Sequence, residues 1–475
     1  EVLDKYCSFM PVPIFLDNAK AEPQYETIEK DELTDKDTIV ETVVEPAKTE
    51  EKENENGEKE TVEVEPSRER YKILKRPVAL NDVTPLWNKH PNECTEEEYR
   101  DFYRKVFMDY KEPLFWIHLN MDYPFNLKGI LYFPKINTEY DSIEGTIKLY
   151  NNQVFIADNI KEVIPEFLML LKGTIDCPDL PLNVSRSALQ NDGFVKKISD
   201  YITKKVADKL TGMCKTDREN YEKYWDDIAP FIKFGCLKDE KFAEKMNDYI
   251  LFKNLEGKYL TLKDCLEENK EKHENTIFYV TDEKEQSQYI NMFKAEGLDA
   301  VILPHSIDSP FIGHLERKNE GLKFLRIDAD LNDTFKEEVK EDDEEFKKNA
   351  DTLKEIFKKA LNNDKLEIKV EKLKDASMSS VLTVAEESRR MQDMMKMYNM
   401  YGMDPSMFGG MGEVLVLNAN NQLVQYVLNH GEGENTAKIC EQLYDLALLA
   451  HGTLTPERMT KFIARSNEIM MMMAE

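Results

Sequence analysis

Residues 179–194 read DLPLNVSRSALQNDGF and carry the most specific pattern in the chain. Pro181 and Asn183 favour an extended loop, and a serine after them can cap the helix that follows. Arg186 and Gln190 are four residues apart, so they share one face if this segment is helical. A guanidinium beside an amide can neutralise and orient a phosphoryl group during its transfer. Spacing alone, however, favours the simpler interpretation of a solvated arginine at the start of a helix.

The segments around this loop alternate between strand and helix patterns. Before it, the helical TEEEYRDFYRKVF precedes apolar strands at PLFWIHL, GILYFP and GTIKLY. After it, helical periodicity covers residues 194–213 and continues through NYEKYWDDIAPFIKFG and DEKFAEKMNDYI. Further on, TIFYV and DAVILP are buried-strand patterns separated by the amphipathic SQYINMFKAEG, which predicts a parallel strand–helix–strand unit. The patterns therefore predict an α/β region in two parts, a large one and a small one.

The last third of the chain combines strands and helices in a different order. An acidic run at residues 337–346 marks its boundary as a solvated face or linker. LEIKVEKL and EVLVLN predict strands on either side of a methionine-rich helix at residues 385–401. Thr455 followed by Pro456 is typical of a helix start, so helices are expected to end the chain.

The segment before residue 71 has a different character. Residues 1–16 look like a helix end followed by a short strand, both separated from their packing partners. Residues 17–66 contain eighteen acidic and six basic residues, a net charge of −12, and Tyr25 is their only aromatic residue. Such a stretch cannot bury enough apolar surface to offset its ordering entropy, which predicts a disordered linker. The pieces TVVEP and TVEVEP are the parts able to pair transiently as edge strands.

Charge and cysteine usage exclude several classes of protein. The formal net charge of −28 argues against nucleic-acid binding and against binding to anionic membranes, since both need clustered Lys and Arg. The seven cysteines contain no C-x-x-C pair, which indicates free thiols in a reducing cytoplasm. No apolar run is long enough to span a bilayer, and no signal peptide opens the chain. Because the first residue is Glu1, we expect the sequence to begin within a longer protein.

The 179–194 segment resembles the catalytic loop of the ninety-kilodalton heat-shock chaperones, whose signature is LPLN-x-SR-x-x-LQ. Every fixed position of the signature is met, at Leu180, Pro181, Leu182, Asn183, Ser185, Arg186, Leu189 and Gln190. Other segments resemble the family in the same order: PLWNKHP (85–91), GILYFP, RRMQDMMKMY (389–398), LVLNANNQLV (415–424) and QLYDLALLAHGTL (442–454). The resemblance covers nearly the whole chain.

The resemblance assigns a catalytic role to the loop. It implies that Arg186 reaches the γ-phosphate of ATP and that Gln190 is its polar helper. ATP and magnesium would be bound by an N-terminal domain of which residues 1–16 are the last part, and no nucleotide pocket is expected within this chain. No G-x-x-x-x-G-K-[ST] or G-x-G-x-x-G replaces that pocket, and FGGMGE at 408–413 favours a flexible loop over a phosphate cradle. Seven histidines form no H-E-x-x-H and no Cys/His cluster, so we predict no metal site.

Two further sets of residues are candidates for binding proteins. The first is a methionine stripe, and methionine suits promiscuous apolar surfaces although core packing is an equal alternative. The resemblance implies client binding at Met391, Met394, Met395, Met397 and Met400. Trp87 is a core tryptophan by default and a contact for clients or co-chaperones by resemblance.

The second set lies on the last two predicted helices, at about 433–451 and 456–473. Each carries an apolar stripe that could complete a monomer core, yet Met470 to Met473 exceed one stripe. The resemblance implies a four-helix homodimer interface, and we place in it Leu443, Leu446, Met459, Phe462, Ile463 and Met470. The chain shows no acidic pentapeptide tail, which favours the bacterial type of the family and argues against tetratricopeptide-repeat partners.

We therefore predict an α/β and α+β multidomain protein, with a two-part α/β middle domain followed by an α+β dimerisation domain that ends in helices. The expected regions are the remnant of the ATP-binding domain (1–16), an acidic linker (17–70), the large (71–240) and small (241–335) parts of the middle domain, and the client-binding and dimerisation domain (336–475). The expected function is that of a cytoplasmic, ATP-dependent heat-shock chaperone for partly unfolded clients, an ATPase only as the whole protein. The alternatives are a dimeric scaffold without a nucleotide cycle and a free-standing hydrolase, for which no nucleophile–base pair is present.

Overall fold

The computed structural model describes most of the 475 residues, namely 2–45, 48–53, 59–65, 68–135, 145–159, 163–181, 192–270, 273–329, 335–338, 343–386, 388, 390, 412–431, 433, 435–451 and 454–474. One compact unit comprises Glu1–Pro134, Glu144–Ile164 and Leu171–Ile198, and a second comprises Lys135–Ile143, Pro165–Leu170 and Ser199–Glu475. Helices combine with several separate sheets, which confirms the predicted mixed α/β multidomain class. Within these described ranges, no helix is both long and apolar enough to cross a membrane. The division into five regions stays a prediction.

The first residues pack onto the first unit. Helix α1 (Val2–Tyr6) is followed by Phe9, whose ring is 4% exposed and lies 4.7 Å from the ring of Trp87. The side-chain amide of Asn81 holds the backbone of residues 10–14 through three hydrogen bonds of 2.7–2.9 Å. Because these backbone groups bond to one side chain rather than to a strand, the strand predicted within residues 1–16 is not formed in the described part of that segment.

Strands between residues 25 and 65 take part in antiparallel sheets, although we predicted a disordered linker over residues 17–66. The strands are β1 (Tyr25–Glu29), β2 (Ile39–Glu45), β3 (Lys48–Glu53), β4 (Lys59–Glu65) and β5 (Arg68–Leu74). β5 lies between β1 and β2, and β3 pairs with β4. Arg70 of β5 lies 3.7 Å from Glu29 on β1 and 3.3 Å from Glu45 on β2. A basic strand between two acidic ones offsets their repulsion, so the prediction of disorder is wrong for these strands.

The core of the first unit is a five-stranded sheet covered by aromatic side chains. Its strands are β6 (Phe115–Met121), β7 (Leu127–Phe133), β8 (Ile147–Asn151), β9 (Val154–Asp158) and β10 (Lys172–Asp176), in the order β6-β7-β10-β8-β9. Helix α2 (Glu96–Phe107) packs on it, as predicted, and its N-cap Thr95 forms a capping box with Glu98. β8 and β10 are parallel, so the chain leaves β10 beside the end of β8.

Three helices follow, all close to their predicted positions: α3 (Asp192–Thr216), α4 (Arg218–Lys238) and α5 (Glu240–Met246). The chain passes from the first unit to the second within α3, and α4 and α5 belong to the second unit. A second five-stranded sheet has the order β12-β11-β14-β13-β15. The strands of this sheet are β11 (Leu251–Asn254), β12 (Tyr259–Thr261), β13 (Thr276–Val280), β14 (Val301–Ile302) and β15 (Lys323–Arg326). The helices between them in the chain are α6 (Leu262–Asn269), α7 (Ser287–Ala295) and α8 (Asp308–Lys318). β13 and β14 pair in parallel on either side of α7, which confirms the predicted strand–helix–strand unit.

The last part of the second unit is a three-stranded sheet with helices. Its elements are α9 (Glu344–Leu361), β16 (Glu367–Glu371), β17 (Ser380–Val384), β18 (Glu413–Asn418), α10 (Gln422–Asn429), α11 (Thr436–Leu449) and α12 (Pro456–Ala474). β18 lies between β16 and β17. Leu353 and Phe357 of α9 and Val424 of α10 pack with Leu443 of α11 in one buried cluster. The predicted strands at LEIKVEKL and EVLVLN are confirmed.

Candidate functional site

The loop with the sequence signature leaves β10 through a described stem, residues 177–181. Leu180 is 4% exposed, and its N–H donates to the carbonyl oxygen of Cys177 at 3.2 Å. Leu180 and Pro181 are the two signature positions that the described ranges include. The other six positions, among them the predicted catalytic residues Arg186 and Gln190, lie outside the described residues.

The buried side chain of Asn151, at the end of β8, holds the start of this stem. Its Nδ2 donates to the carbonyl oxygens of Cys177 and Pro178, both at 3.0 Å. Its Oδ1 accepts a hydrogen bond from the side chain of Asn152 at 3.2 Å. Asn151 is 7% exposed. A buried amide whose polar atoms are all bonded fixes the groups around it, so Asn151 determines where the chain leaves the sheet.

A second anchor, Phe125–Asn126, lies just before β7 and touches both ends of the loop. Oδ2 of Asp179 accepts hydrogen bonds from the backbone N–H (2.7 Å) and the side-chain Nδ2 (3.2 Å) of Asn126. The ring of Phe125 lies 5.4 Å from that of Phe194, in the first turn of α3. The segment therefore contacts the chain on both sides of residues 182–191.

Burial also affects the ionisable groups of the stem. Burial raises the pKa of the Asp176 carboxyl, and a hydrogen bond from the backbone N–H of Gln153 (2.9 Å) opposes that shift. Burial raises the pKa of the Cys177 thiol to about 12, so this thiol is neutral at physiological pH. The stem is thus a hydrogen-bonded support without a reactive thiolate.

Sequence reasoning missed Asn126, Asn151 and Asp179. The sequence held a local signal for the turn after β8, because asparagines between two apolar runs are typical of tight hairpin turns. The φ values of Asn152 and Gln153, 51° and 62°, are those of such a turn. No local pattern indicates that the Asn151 amide reaches across to a carbonyl 26 residues away. Such contacts depend on strand order, which single-sequence patterns do not specify.

Trp87 lies in the aromatic core and not on the surface. It is fully buried and packs against Phe102 and Tyr150, with ring centroids 5.7 and 5.1 Å away. This agrees with the default interpretation of a core tryptophan and corrects the predicted client contact. An indole without exposed area cannot contact a client unless the cluster around it opens.

The predicted client-binding methionines lie outside the described residues, as do all positions from 391 to 411. The residue before them, Arg390, is described. It donates to both carboxylate oxygens of Glu316 (2.6 and 3.0 Å), to Glu386 (2.7 Å) and to the carbonyl oxygen of Phe324 (2.8 Å). Burial would lower the pKa of Arg390, but these carboxylates outweigh burial and raise it. Arg390 itself is therefore held against α8 and β15.

The two terminal helices contact each other through charged and polar side chains. Asp445 of α11 is 2% exposed and accepts hydrogen bonds from Arg458 and Arg465 of α12. Arg465 is 7% exposed and also bonds to Gln442 at 2.9 Å. Lys438 pairs with Glu468 at 2.6 Å. The half-buried Phe462 and Ile469 share this face of α12, whereas the exposed Ile463 lies on the other side of the helix.

The six predicted interface residues divide into two groups. Leu446, Ile463 and Met470 are 44%, 52% and 59% exposed, and Met459 and Phe462 are half-buried. Leu443 is 1% exposed within the cluster around α9. Its assignment to a dimer interface is corrected, because its side chain is already covered by its own subunit.

The described residues contain no group of three or more His, Cys, Asp or Glu side chains arranged to hold a metal ion.

A family model described as "Hsp90 protein" matches residues 1–475. The chain is 37% identical over 445 residues to "Chaperone protein HtpG" of Bacteroides thetaiotaomicron, covering 91% of this chain and 58% of that protein. It is 38% identical over 369 residues to the protein of that name from Porphyromonas gingivalis (75% and 53%), and 31% identical over 403 residues to that of Borrelia garinii subsp. bavariensis (82% and 63%). The chain thus spans less than two thirds of the length of these relatives.

Proposed function

The chain belongs to the Hsp90 protein family, and from this we propose that it is part of an ATP-dependent molecular chaperone that holds partly unfolded client proteins in a dimeric clamp. The observation that carries the proposal is the family match along the whole chain, and the name of the bacterial relatives supports it. Seven free cysteines suit a reducing compartment, so we place the protein in the cytoplasm.

The homodimer is proposed from the surface of α12. Ile463 and Met470 are more than half exposed, while the contact of α12 with α11 is made by Arg458 and Arg465. Exposed apolar side chains in one stripe are typical of an interface, and a two-fold axis would bring the stripes of two subunits together. The interface would then consist of Leu446, Met459, Phe462, Ile463 and Met470.

The catalytic role is proposed for Arg186, with Gln190 as its helper. ATP and magnesium would be held by the ATP-binding domain that the family resemblance places before this chain. A guanidinium there would neutralise the charge that develops on the γ-phosphoryl group, and the amide would orient the phosphate or the attacking water. ATP binding would close the clamp, and hydrolysis would reopen it.

The test of catalysis uses the chain together with its ATP-binding domain. By analogy with the loss of single transition-state donors, we expect Arg186→Ala to lower the turnover number by roughly tenfold to a thousandfold, while the affinity for ATP changes little. Steady-state ATPase assays and calorimetric binding of ATP separate the two quantities. Arg100→Ala is the matched control, since Arg100 is a 46% exposed arginine paired with Glu96 on α2 and should leave turnover unchanged. Equal turnover in the Arg186 variant and the wild type would overturn the catalytic role of Arg186, whereas a wild type that does not hydrolyse ATP would favour the scaffold without a nucleotide cycle.

The test of client binding replaces Met391, Met394, Met395, Met397 and Met400 singly by Ser. A methionine on a client surface should weaken suppression of client aggregation while the thermal transition stays in place. Met246→Ser is the control, because Met246 is fully buried in α5 and its replacement should lower the melting temperature. If all five variants behave like the control, the stripe is core and the client site lies elsewhere.

A further inference from the structure

We propose that Asn151 and Asp179 are positioning residues for catalysis, because they fix the stem from which the loop brings Arg186 toward the γ-phosphate. This inference rests on the catalytic role proposed for Arg186. Neither residue belongs to the signature of the loop, and neither would touch the nucleotide. Asn151 fixes the backbone of Cys177 and Pro178, and Asp179 ties the stem to Asn126.

Asn151 supplies the buried half of this support. Its one amide satisfies two consecutive carbonyl oxygens of the stem, those of Cys177 and Pro178, at 3.0 Å each. Cys177 is also tied to β8 by its N–H, which donates to the carbonyl oxygen of Tyr150 at 3.1 Å. Three hydrogen bonds from the end of β8 therefore set the direction in which the chain enters the loop.

Asp179 supplies the exposed half. Its Oδ2 accepts both hydrogen bonds from Asn126, and the neighbouring Phe125 packs against Phe194 beyond the loop. Asp179 is exposed, so its side chain contributes little to the core. Its two hydrogen bonds join the near end of the loop to the segment that also holds the far end. Such a support keeps the distance between Asp179 and Phe194 constant.

The expected effect follows from the sensitivity of catalysis to geometry. Displacing a reacting or stabilising group by about 1 Å can cost on the order of a hundredfold in rate. Loss of one of the two supports should leave the stem held by the other alone, so we expect Asp179→Ala to lower the turnover number about tenfold. The Michaelis constant for ATP should stay unchanged, because neither residue would contribute to nucleotide affinity. Asp179→Asn keeps one carbonyl oxygen as an acceptor and should recover most of the rate.

The experiment uses the chain with its ATP-binding domain and compares Asp179→Ala, Asp179→Asn, Asn151→Ala and Arg186→Ala. The decisive measurement is the double variant Asp179→Ala/Arg186→Ala. If Asp179 acts through Arg186, the second substitution should slow turnover no further than Arg186→Ala alone. A residue that only stabilises the fold would lower both backgrounds by the same factor.

Asn159→Ala is the matched control for Asn151. Asn159 lies at the opposite end of the same hairpin, where it donates to the carbonyl oxygen of Gly145 at 3.0 Å and accepts from the N–H of Ile147 at 2.7 Å. Its replacement should lower the melting temperature without lowering turnover. Should Asn151→Ala not fold, Asp179→Ala still decides the question.

Two outcomes separate the inference from the function on which it rests. If Arg186→Ala is slow while Asp179→Ala has normal turnover, or if the effects of the two substitutions multiply, the positioning role is overturned and the catalytic role stands. If Arg186→Ala has normal turnover, the catalytic role itself is overturned and the positioning role falls with it.

Discussion

Helices α11 and α12 follow each other in the chain and are both amphipathic, yet they use their apolar faces in opposite ways. α11 buries Cys440, Leu443 and Ala447 in the cluster around α9. α12 buries a single residue of its described side chains, Arg465, and exposes Ile463 at 52%. α11 thus completes a core of this chain, whereas α12 leaves Ile463 exposed.

The comparison shows that an apolar stripe does not by itself identify the contact between neighbouring helices. Arg458 and Arg465 are seven residues apart and lie on one face of α12, about 20° from each other. Ile463 lies roughly 160° from Arg465 around the helix axis. The two arginines therefore lie on the face that holds α12 to α11, and Ile463 lies on the opposite face, where we proposed the interface with a second copy of the chain.

The largest effect is expected from Asp445→Ala, which tests whether charge holds α12 in place. Removing this carboxylate takes from the 7% exposed Arg465 its buried partner, and breaking a buried ion pair costs about 3–5 kcal/mol. Because Arg465 keeps hydrogen bonds to Glu441 (2.5 Å) and Gln442 (2.9 Å), we expect a loss at the lower end of that range. The free energy of unfolding from a denaturant titration at fixed protein concentration measures the loss. Glu468→Ala is the control, since its exposed pair with Lys438 should contribute no more than about 1 kcal/mol. Equal losses in the two variants would mean that the buried pair does not hold α12.

A smaller effect is expected from a change on the exposed apolar face of α12, which tests whether that face takes part in self-association. Ile463→Asp should weaken self-association roughly thirtyfold, since loss of an interface anchor costs about 2 kcal/mol or more. Sedimentation velocity should then show folded monomers with an unchanged circular dichroism spectrum. Ala464→Asp adds the same charge about 100° further round the helix and should leave the dimer intact. Dimers of unchanged affinity in the Ile463 variant would place the interface elsewhere.

Elements with a local signal were predictable from the sequence. The helical pattern of TEEEYRDFYRKVF identified α2, and two short apolar runs on either side of an amphipathic segment identified β13 and β14. The sheet of β1, β2 and β5 was not predictable in the same way. The segment judged too acidic ended at residue 66, just before Arg70 and the other basic residues of β5 that pair with it.

The site was predictable only where a signature exists. The loop motif led to Arg186, and no pattern led to Asn151 or Asp179, whose partners are far away in the chain. Leu443 and Ile463 had equal claims to an interface, because both are apolar and lie on amphipathic helices. Only the structure distinguishes them, because α9 covers Leu443 and leaves Ile463 exposed. Tertiary neighbours of this kind enter no local pattern.

The smallest effect is expected from an ion pair with one exposed partner, which completes the contrast with Asp445 and Arg465, both of which are buried: the Asp37 side chain is 5% exposed, but that of its partner Arg76 is 41% exposed. Asp37, in the turn before β2, accepts hydrogen bonds from Arg76 at 2.8 and 2.6 Å, and these hold the pKa of its carboxyl well below the usual range. Because the folded-state pKa is lowered, the stabilisation is fully present above the unfolded pKa near 4 and is lost as pH falls below it.

Acidification from pH 7 to pH 4 should therefore leave this corner of the sheet closed, and further acidification should open it. The amide of Leu74, which donates to the carbonyl oxygen of Thr38 at 3.1 Å, reports the opening by hydrogen exchange. We expect its protection to fall by about two- to fivefold between pH 4 and pH 2, because water screens exposed pairs. Asp37→Asn removes the titrating group and should show the lower protection at every pH. A wild-type protection factor that stays constant down to pH 2 would mean that the Asp37–Arg76 pair does not hold this corner, and the comparison of ion pairs would then rest on α11 and α12 alone.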